Sequence, residues 1–159
     1  MTMVRVYLET SFVSACVTTR TSLRSVYERE SSLRWWQDQA TSSDRFISDE
    51  VLNELSHPKY PSRDRALEFV REVSVLGISE AMISFAQALV DRLVMPRPAA
   101  GDALHIAIAT ISHMDVILTW NVRHLANPNK VLHLYAICSE FGYLCPKVLR
   151  PDDLMELEP

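Results

Sequence analysis

The chain has 159 residues, the size of one domain with a sizeable core. It is 48% hydrophobic and 23% charged, a globular composition with no apolar run long enough to span a bilayer. Lys plus Arg number 16 against 20 Asp plus Glu, a net charge of −4, which excludes a general attraction to nucleic acid and leaves polyanion binding to a local basic patch or to a cation gathered by the acids.

Cys16, Cys138 and Cys145 form no CxxC pair, so reduced thiols are expected rather than disulfides or a thiolate metal site. The opening "MTMVRVYLETS" lacks a signal-peptide pattern, and a cytoplasmic location is expected. The only glycines, Gly77, Gly101 and Gly142, rule out GxGxxG and the GxxxxGK[ST] loop, and neither GxSxG nor HExxH occurs. Dinucleotide enzymes, P-loop NTPases, α/β-hydrolases and zincins lose their support. Any chemistry must come from carboxylates.

In chain order, "VRVYL" (4–8) is β-branched, aromatic and short, a buried strand that ends at the polar Glu9-Thr10-Ser11. Residues 12–43 read as two helical pieces broken near "TTRTS". "RFIS" (45–48) is a second strand, and Ser48 is placed to cap the helix "DEVLNELSH" (49–57), which Pro58 and Pro61 end. An amphipathic helix over 62–73 leads to a third strand at 74–79, and a helix at 80–94 to a loop broken by Pro96 and Pro98. The helix from 99 to about 113 delivers "DVILTW" (115–120), the fourth strand. Residues 127–142 form a helix with Pro128 near its start and Gly142 just past its end, and "PKVLRPDDLM" supplies an edge strand and a terminal turn. With no repeat or linker, 1–159 is expected to be one domain.

Alternating strands and helices predict an α/β fold of three layers, a central parallel sheet of four to five strands flanked by helices. Ligands of such sheets gather beyond the carboxyl ends of the strands, near the point where strand order reverses. Glu9 directly follows the first strand, while Thr119 and Asn121 stand at the end of the fourth. Glu54 lies on the helix after the second strand and Asp102 opens the helix before the fourth. Each has an ordinary reading: Glu9 as a loop acid, Glu54 as a surface acid beside the core stripe, Asp102 as a partner of the helix dipole, Asn121 as a turn residue. Asp49 and Glu50, in a first helical turn, are assigned to the dipole and set aside. Taken together, the three acids and the amide suggest a site for Mg²⁺ or Mn²⁺, which take oxygen ligands and offset the repulsion of gathered carboxylates.

"VYLETS", "FISDEVLNEL", "GDALHIAIAT" and "VILTWNVRHLAN", in this order, resemble the four signature segments of PIN domains, in particular the VapC-like toxins of prokaryotic toxin–antitoxin pairs. The resemblance covers nearly the whole chain. It implies a metal-dependent ribonuclease with Glu9, Glu54 and Asp102 on the three family acids, Asn121 on the fourth acidic position and Thr119 on the small hydroxyl residue two before it. All but Thr119 then fall on metal-ligand positions, and cleavage would leave a 5′-phosphate and a 3′-hydroxyl. Two departures stand out: Glu9 is one methylene longer than the usual Asp, and Asn121 replaces a charge with an amide, so a second metal would be held less well.

The partners implied are an RNA substrate, a small antitoxin covering part of the 22–36 region, and a second copy in a homodimer, with no membrane. His105, at i+3 from Asp102, reads as a core histidine or one that orients a carboxylate, ahead of a metal ligand. Arg123 reads equally as a phosphate contact or a solvated loop residue, with His124 beside it. Arg20, Arg24, Arg29 and Arg34 form either a basic rim or a solvent face balanced by Glu28 and Glu30. Two other functions stay open: a non-catalytic PIN-like module that binds RNA or protein, motivated by Asn121, and a metal-dependent phosphatase.

Overall fold

The computed structural model describes residues 3–39, 41–92, 95, 101–125 and 128–156. In chain order the elements are β1 (Val4–Leu8), α1 (Thr10–Val17), α2 (Leu23–Asp38), β2 (Ser43–Ser48), α3 (Asp49–Leu55), α4 (Arg63–Phe69) and β3 (Ser74–Leu76). There follow α5 (Glu80–Asp91), α6 (Asp102–Ile111), β4 (Val116–Leu118), α7 (Val122–Leu125), α8 (Pro128–Glu140), β5 (Lys147–Leu149) and α9 (Pro151–Glu156).

The five strands are all parallel, in the order β3-β2-β1-β4-β5. Their sequences explain their places. Val6, Tyr7 and Leu8 of β1 and Val116, Ile117 and Leu118 of β4 are buried without alternation, as strands covered on both faces must be. The edge strands, "SVL" and "KVL", are short and partly exposed. The helices flank this sheet in a three-layer α/β arrangement, in which α1 packs on α2, α3 and α4, and α5 on α6. Helix α6 is buried from Ala103 through Thr110, so its apolar run meets protein on every side.

Strand order reverses between β1 and β4. Leu8 pairs with Leu118, and the ladder runs one residue further, Glu9 N donating to Leu118 O at 3.1 Å and Thr119 N to Leu149 O at 3.0 Å. The chain then departs in opposite directions, which opens a crevice at the carboxyl ends of these two strands.

Several boundaries differ from the sequence expectation. The third strand is 74–76, not 74–79, because its neighbour β2 stops at Ser48, whose hydroxyl turns to accept from Val51 N at 3.2 Å and cap α3. Helix α4 ends at Phe69, and turns from Arg71 N to Glu68 O and from Val73 N to Val70 O replace its last residues. Helices α3 and α5 end at Leu55 and Asp91, and α6 starts at Asp102, residues 99–100 lying outside the described residues. Pro96, Pro98 and residue 127 also fall outside.

The four-residue helix α7 stands where a loop was expected, too short for a periodic signal. The terminal turn is the helix α9, with Pro151 at its first position. Gly142 ends α8 as expected: at φ +78 it takes the left-handed conformation, and Tyr143 N closes back to Cys138 O at 2.8 Å. Among the described residues no helix is long and apolar enough to cross a membrane.

Candidate active site

Glu9 caps α1 and is only 4% exposed, so its carboxylate needs hydrogen bonds in place of water. Oε2 receives three: from Ser11 N at 2.8 Å, from Thr119 Oγ1 at 2.8 Å and from Ser11 Oγ. Thr119, fully buried, also accepts from Asn121 N at 2.9 Å, and Ser11 Oγ accepts from Trp120 N at 2.9 Å. Two hydroxyls thus stitch the ends of β1 and β4 around one acid. Asn121 carries the link onward, its Nδ2 donating to Asp102 Oδ1 at 3.3 Å. Asp102 is therefore more than a helix-start charge: α6 presents it to the amide at the end of β4.

Glu54, one residue before the end of α3, belongs to a second set of contacts. Its Oε1 accepts from Thr10 Oγ1 at 2.9 Å and pairs with His105 Nε2. His105 is 1% exposed, and its Nδ1 meets the Tyr7 hydroxyl at 2.6 Å, which in turn meets Ser48 Oγ at 2.8 Å. An ionised carboxylate only accepts, so Nε2 carries a proton. In the neutral imidazole Nδ1 then accepts from Tyr7, and Tyr7 from Ser48.

Burial disfavours charge on both members of the pair, yet their hydrogen bond and mutual attraction prevail: His105 is raised above its ordinary value and Glu54, with help from Thr10, is lowered. Burial pushes the Tyr7 phenol well up, so it stays protonated. His105 thus holds Glu54 in place, which matches the reading of it as a residue that orients a carboxylate.

Glu9, Glu54 and Asn121 line one cleft of about 670 Å³, together with Trp120, Arg20 and Arg24. Two of the four arginines considered for a basic rim therefore reach it. Arg24 also pairs with Glu28 at 3.0 Å, while Arg29 donates to Thr18 O at 3.1 Å. Arg34 and Arg123 are exposed, and the His124 side chain lies outside the described residues.

The donors around the cleft are oxygens, the chemistry of a hard cation. Among the described residues, however, no three His, Cys, Asp or Glu side chains stand close enough together to hold a metal ion. Glu54 is engaged by His105, and Asp102 reaches the cleft through Asn121.

Sequence reasoning missed Tyr7, Ser11 and Glu50. Tyr7 and Ser11 read only as strand core and turn. Glu50 is buried, and burial together with the charge of Glu54 raises its carboxyl, with His105 acting in the opposite sense. Its i,i+4 spacing to Glu54 was the available signal, since that spacing puts both acids on one helix face.

The strand order, with Glu9 at the end of β1 set against Thr119 and Asn121 at the end of β4, gives a PIN-like three-layer α/β fold. Several solved structures share the fold. One is VapC20 of Mycobacterium tuberculosis, described as a sarcin–ricin loop cleaving toxin, with a TM-score of 0.54 and 17% identity over 70% of this chain and 86% of that one. Another is VapBC2 from Rickettsia felis bound to a DNA fragment from its promoter, with a TM-score of 0.60 and 14% identity over 92% of this chain and 98% of that one. No family model matches the sequence, and no curated protein does.

Proposed function

We propose that this protein is a ribonuclease dependent on Mg²⁺ or Mn²⁺, the toxin of a toxin–antitoxin pair. The observation that carries the reading is the junction at the strand-order reversal, where Glu9 is held by Ser11 and Thr119 while Asn121 ties Asp102 to the same cleft. Glu54 supplies a further carboxylate on the cleft wall. The fold shared with a sarcin–ricin loop cleaving toxin supports RNA as the substrate.

Glu9, Glu54 and Asp102, which do not close on one ion directly, would hold the cation through water, with Asn121 assisting. An all-oxygen donor set on a roomy cleft suits a cation that keeps part of its water shell. A metal held there would supply Lewis acidity towards a water and the phosphate. The chain does the rest. Thr119 and Ser11 fix the Glu9 carboxylate, and His105 and Thr10 fix that of Glu54, so that a carboxylate can orient the attacking water and take its proton. Arg20 and Arg24 offer positive charge to the RNA backbone at the cleft rim.

A small antitoxin is the proposed partner. Leu23, 91% exposed in the first turn of α2 next to the cleft-lining Arg24, gives it an apolar contact.

The non-catalytic reading draws on the amide of Asn121 and the absence of a close acid trio among the described residues. Incubation of the purified protein with RNA in Mn²⁺ and in EDTA separates the two. Cleavage only with metal supports the ribonuclease. RNA bound without cleavage in either condition establishes the binding module.

A further inference from the structure

Trp120 lies between Thr119 and Asn121 and lines the cleft that holds Glu9 and Glu54. Its backbone N–H donates to Ser11 Oγ at 2.9 Å and its indole Nε1–H to Ser32 Oγ at 2.8 Å, Ser32 being wholly buried on α2. The Arg150 guanidinium carbon lies 5.2 Å from its ring centre, and Tyr27 meets the indole edge to face with centroids 6.1 Å apart. These supports are themselves fixed. Arg150 Nε donates to Asp152 Oδ1 at 2.9 Å and the Tyr27 hydroxyl to Asp152 Oδ2 at 2.6 Å, while Arg150 Nη2 makes a further bond to the same carboxylate.

This bracing separates Trp120 from a packing tryptophan. Trp35 is 1% exposed and belongs to the core, whereas Trp120 keeps part of its surface at the cleft although four residues hold it. An aromatic ring locked in place before binding loses little freedom when a ligand stacks on it. The cleft also presents Arg20, whose guanidinium makes no ion pair among the described residues, and Arg24. A fixed aromatic surface beside cations is the combination that takes a single-stranded nucleic acid, bases on the ring and phosphates on the arginines. A duplex keeps its base faces stacked on one another and offers none to an indole.

We infer that Trp120 is a specificity-determining residue that stacks an unpaired base of single-stranded RNA adjacent to the phosphate at the Glu9 site. The inference rests on the ribonuclease reading for its substrate. It adds that the RNA must present an unstacked base beside the bond to be cut, as in a loop or a single strand.

The test uses the whole protein and a set of short, fluorescently labelled single-stranded RNAs, one intact and each of the others lacking one base. Affinity is read by anisotropy, with Ca²⁺ in place of Mg²⁺ or Mn²⁺ to suppress turnover. Removing one particular base should weaken binding to the wild type by about tenfold, the scale of one stacked base. Trp120→Ala should weaken binding to the intact RNA by about the same factor and be indifferent to loss of that base. Trp120→Phe should recover part of the affinity.

A merely structural role would weaken all the RNAs alike and leave the base-removal penalty in place, which overturns the inference. Should the alanine variant not fold, the scan of the wild type and the quenching of indole fluorescence by RNA, expected to fall in Trp120→Phe, decide the same question. RNA bound with no base dependence overturns the stacking alone. A base dependence without any cleavage in Mn²⁺ upholds the stacking and overturns the ribonuclease. No binding to any RNA overturns both.

Discussion

His105 bonds Tyr7 through one ring nitrogen and Glu54 through the other, so a fully buried histidine couples the central strand to a carboxylate on the cleft. The pH dependence of this pair has a definite sign. Glu54 is lowered from its ordinary 4.5, against burial, by His105 and Thr10, and contributes stability that is present above 4.5 and lost as pH falls through its folded value. His105 is raised from its ordinary 6.5, again against burial, by Glu54 and the neighbouring acids, and contributes stability that is present below 6.5 and lost as pH rises through its folded value. In metal-free protein both contributions are complete between 4.5 and 6.5. The melting-temperature difference between wild type and His105→Gln should peak in that window and shrink towards alkaline pH. A difference that stays constant with pH would contradict the ion pair.

Tyr7→Phe removes one hydroxyl from the fully buried chain of Ser48, Tyr7 and His105. The ring volume is kept, but His105 Nδ1 loses its partner. The expected cost is about 1–3 kcal/mol of unfolding free energy, the penalty for an unsatisfied buried group. Urea denaturation measures it, and an effect within error would mean that water replaces the hydroxyl.

Thr119→Val is nearly isosteric and deletes the donor to Glu9 and the acceptor for Asn121 N–H. A loss of about 1–3 kcal/mol is expected for buried groups left short of partners. RNA cleavage should fall further than stability explains, because both Glu9 and Asn121 lose their orientation. Unchanged cleavage by a folded variant would detach Thr119 from the site.

The frame of the site was legible in the sequence because strand ends are local features. "VRVYL" followed by Glu9, and "VILTW" followed by Asn121, mark the carboxyl ends of two buried strands without reference to any contact. The side-chain connections were not legible, because they join residues far apart in sequence. Tyr7 and His105 are 98 positions apart, and each reads as core until the fold brings them together. Ser48 was identified as a helix cap, and its second bond, to Tyr7, leaves no trace in its neighbours. Glu50 reads as a partner of the helix dipole because position in a first turn says nothing of burial. Trp120 read as the end of a strand, since its partners Tyr27, Ser32 and Arg150 come from α2 and from the turn after β5.

Divalent-metal binding at the cleft is the central claim, and calorimetric titration of Mn²⁺ into wild type, Asp102→Asn and Asn121→Asp tests it most directly. Asn121 Nδ2 now donates to Asp102, so Asn121→Asp sets a second carboxylate against the first. Saturable Mn²⁺ binding to the wild type is expected, with loss of most of that affinity in a folded Asp102→Asn and tighter binding by Asn121→Asp, whose metal-free form should melt at a lower temperature through carboxylate repulsion. As a dipole partner alone, Asp102 would be replaced by Asn at a cost of only about 0.3–1 kcal/mol. Unchanged Mn²⁺ affinity in a folded Asp102→Asn, or no Mn²⁺ bound by the wild type, would contradict the account.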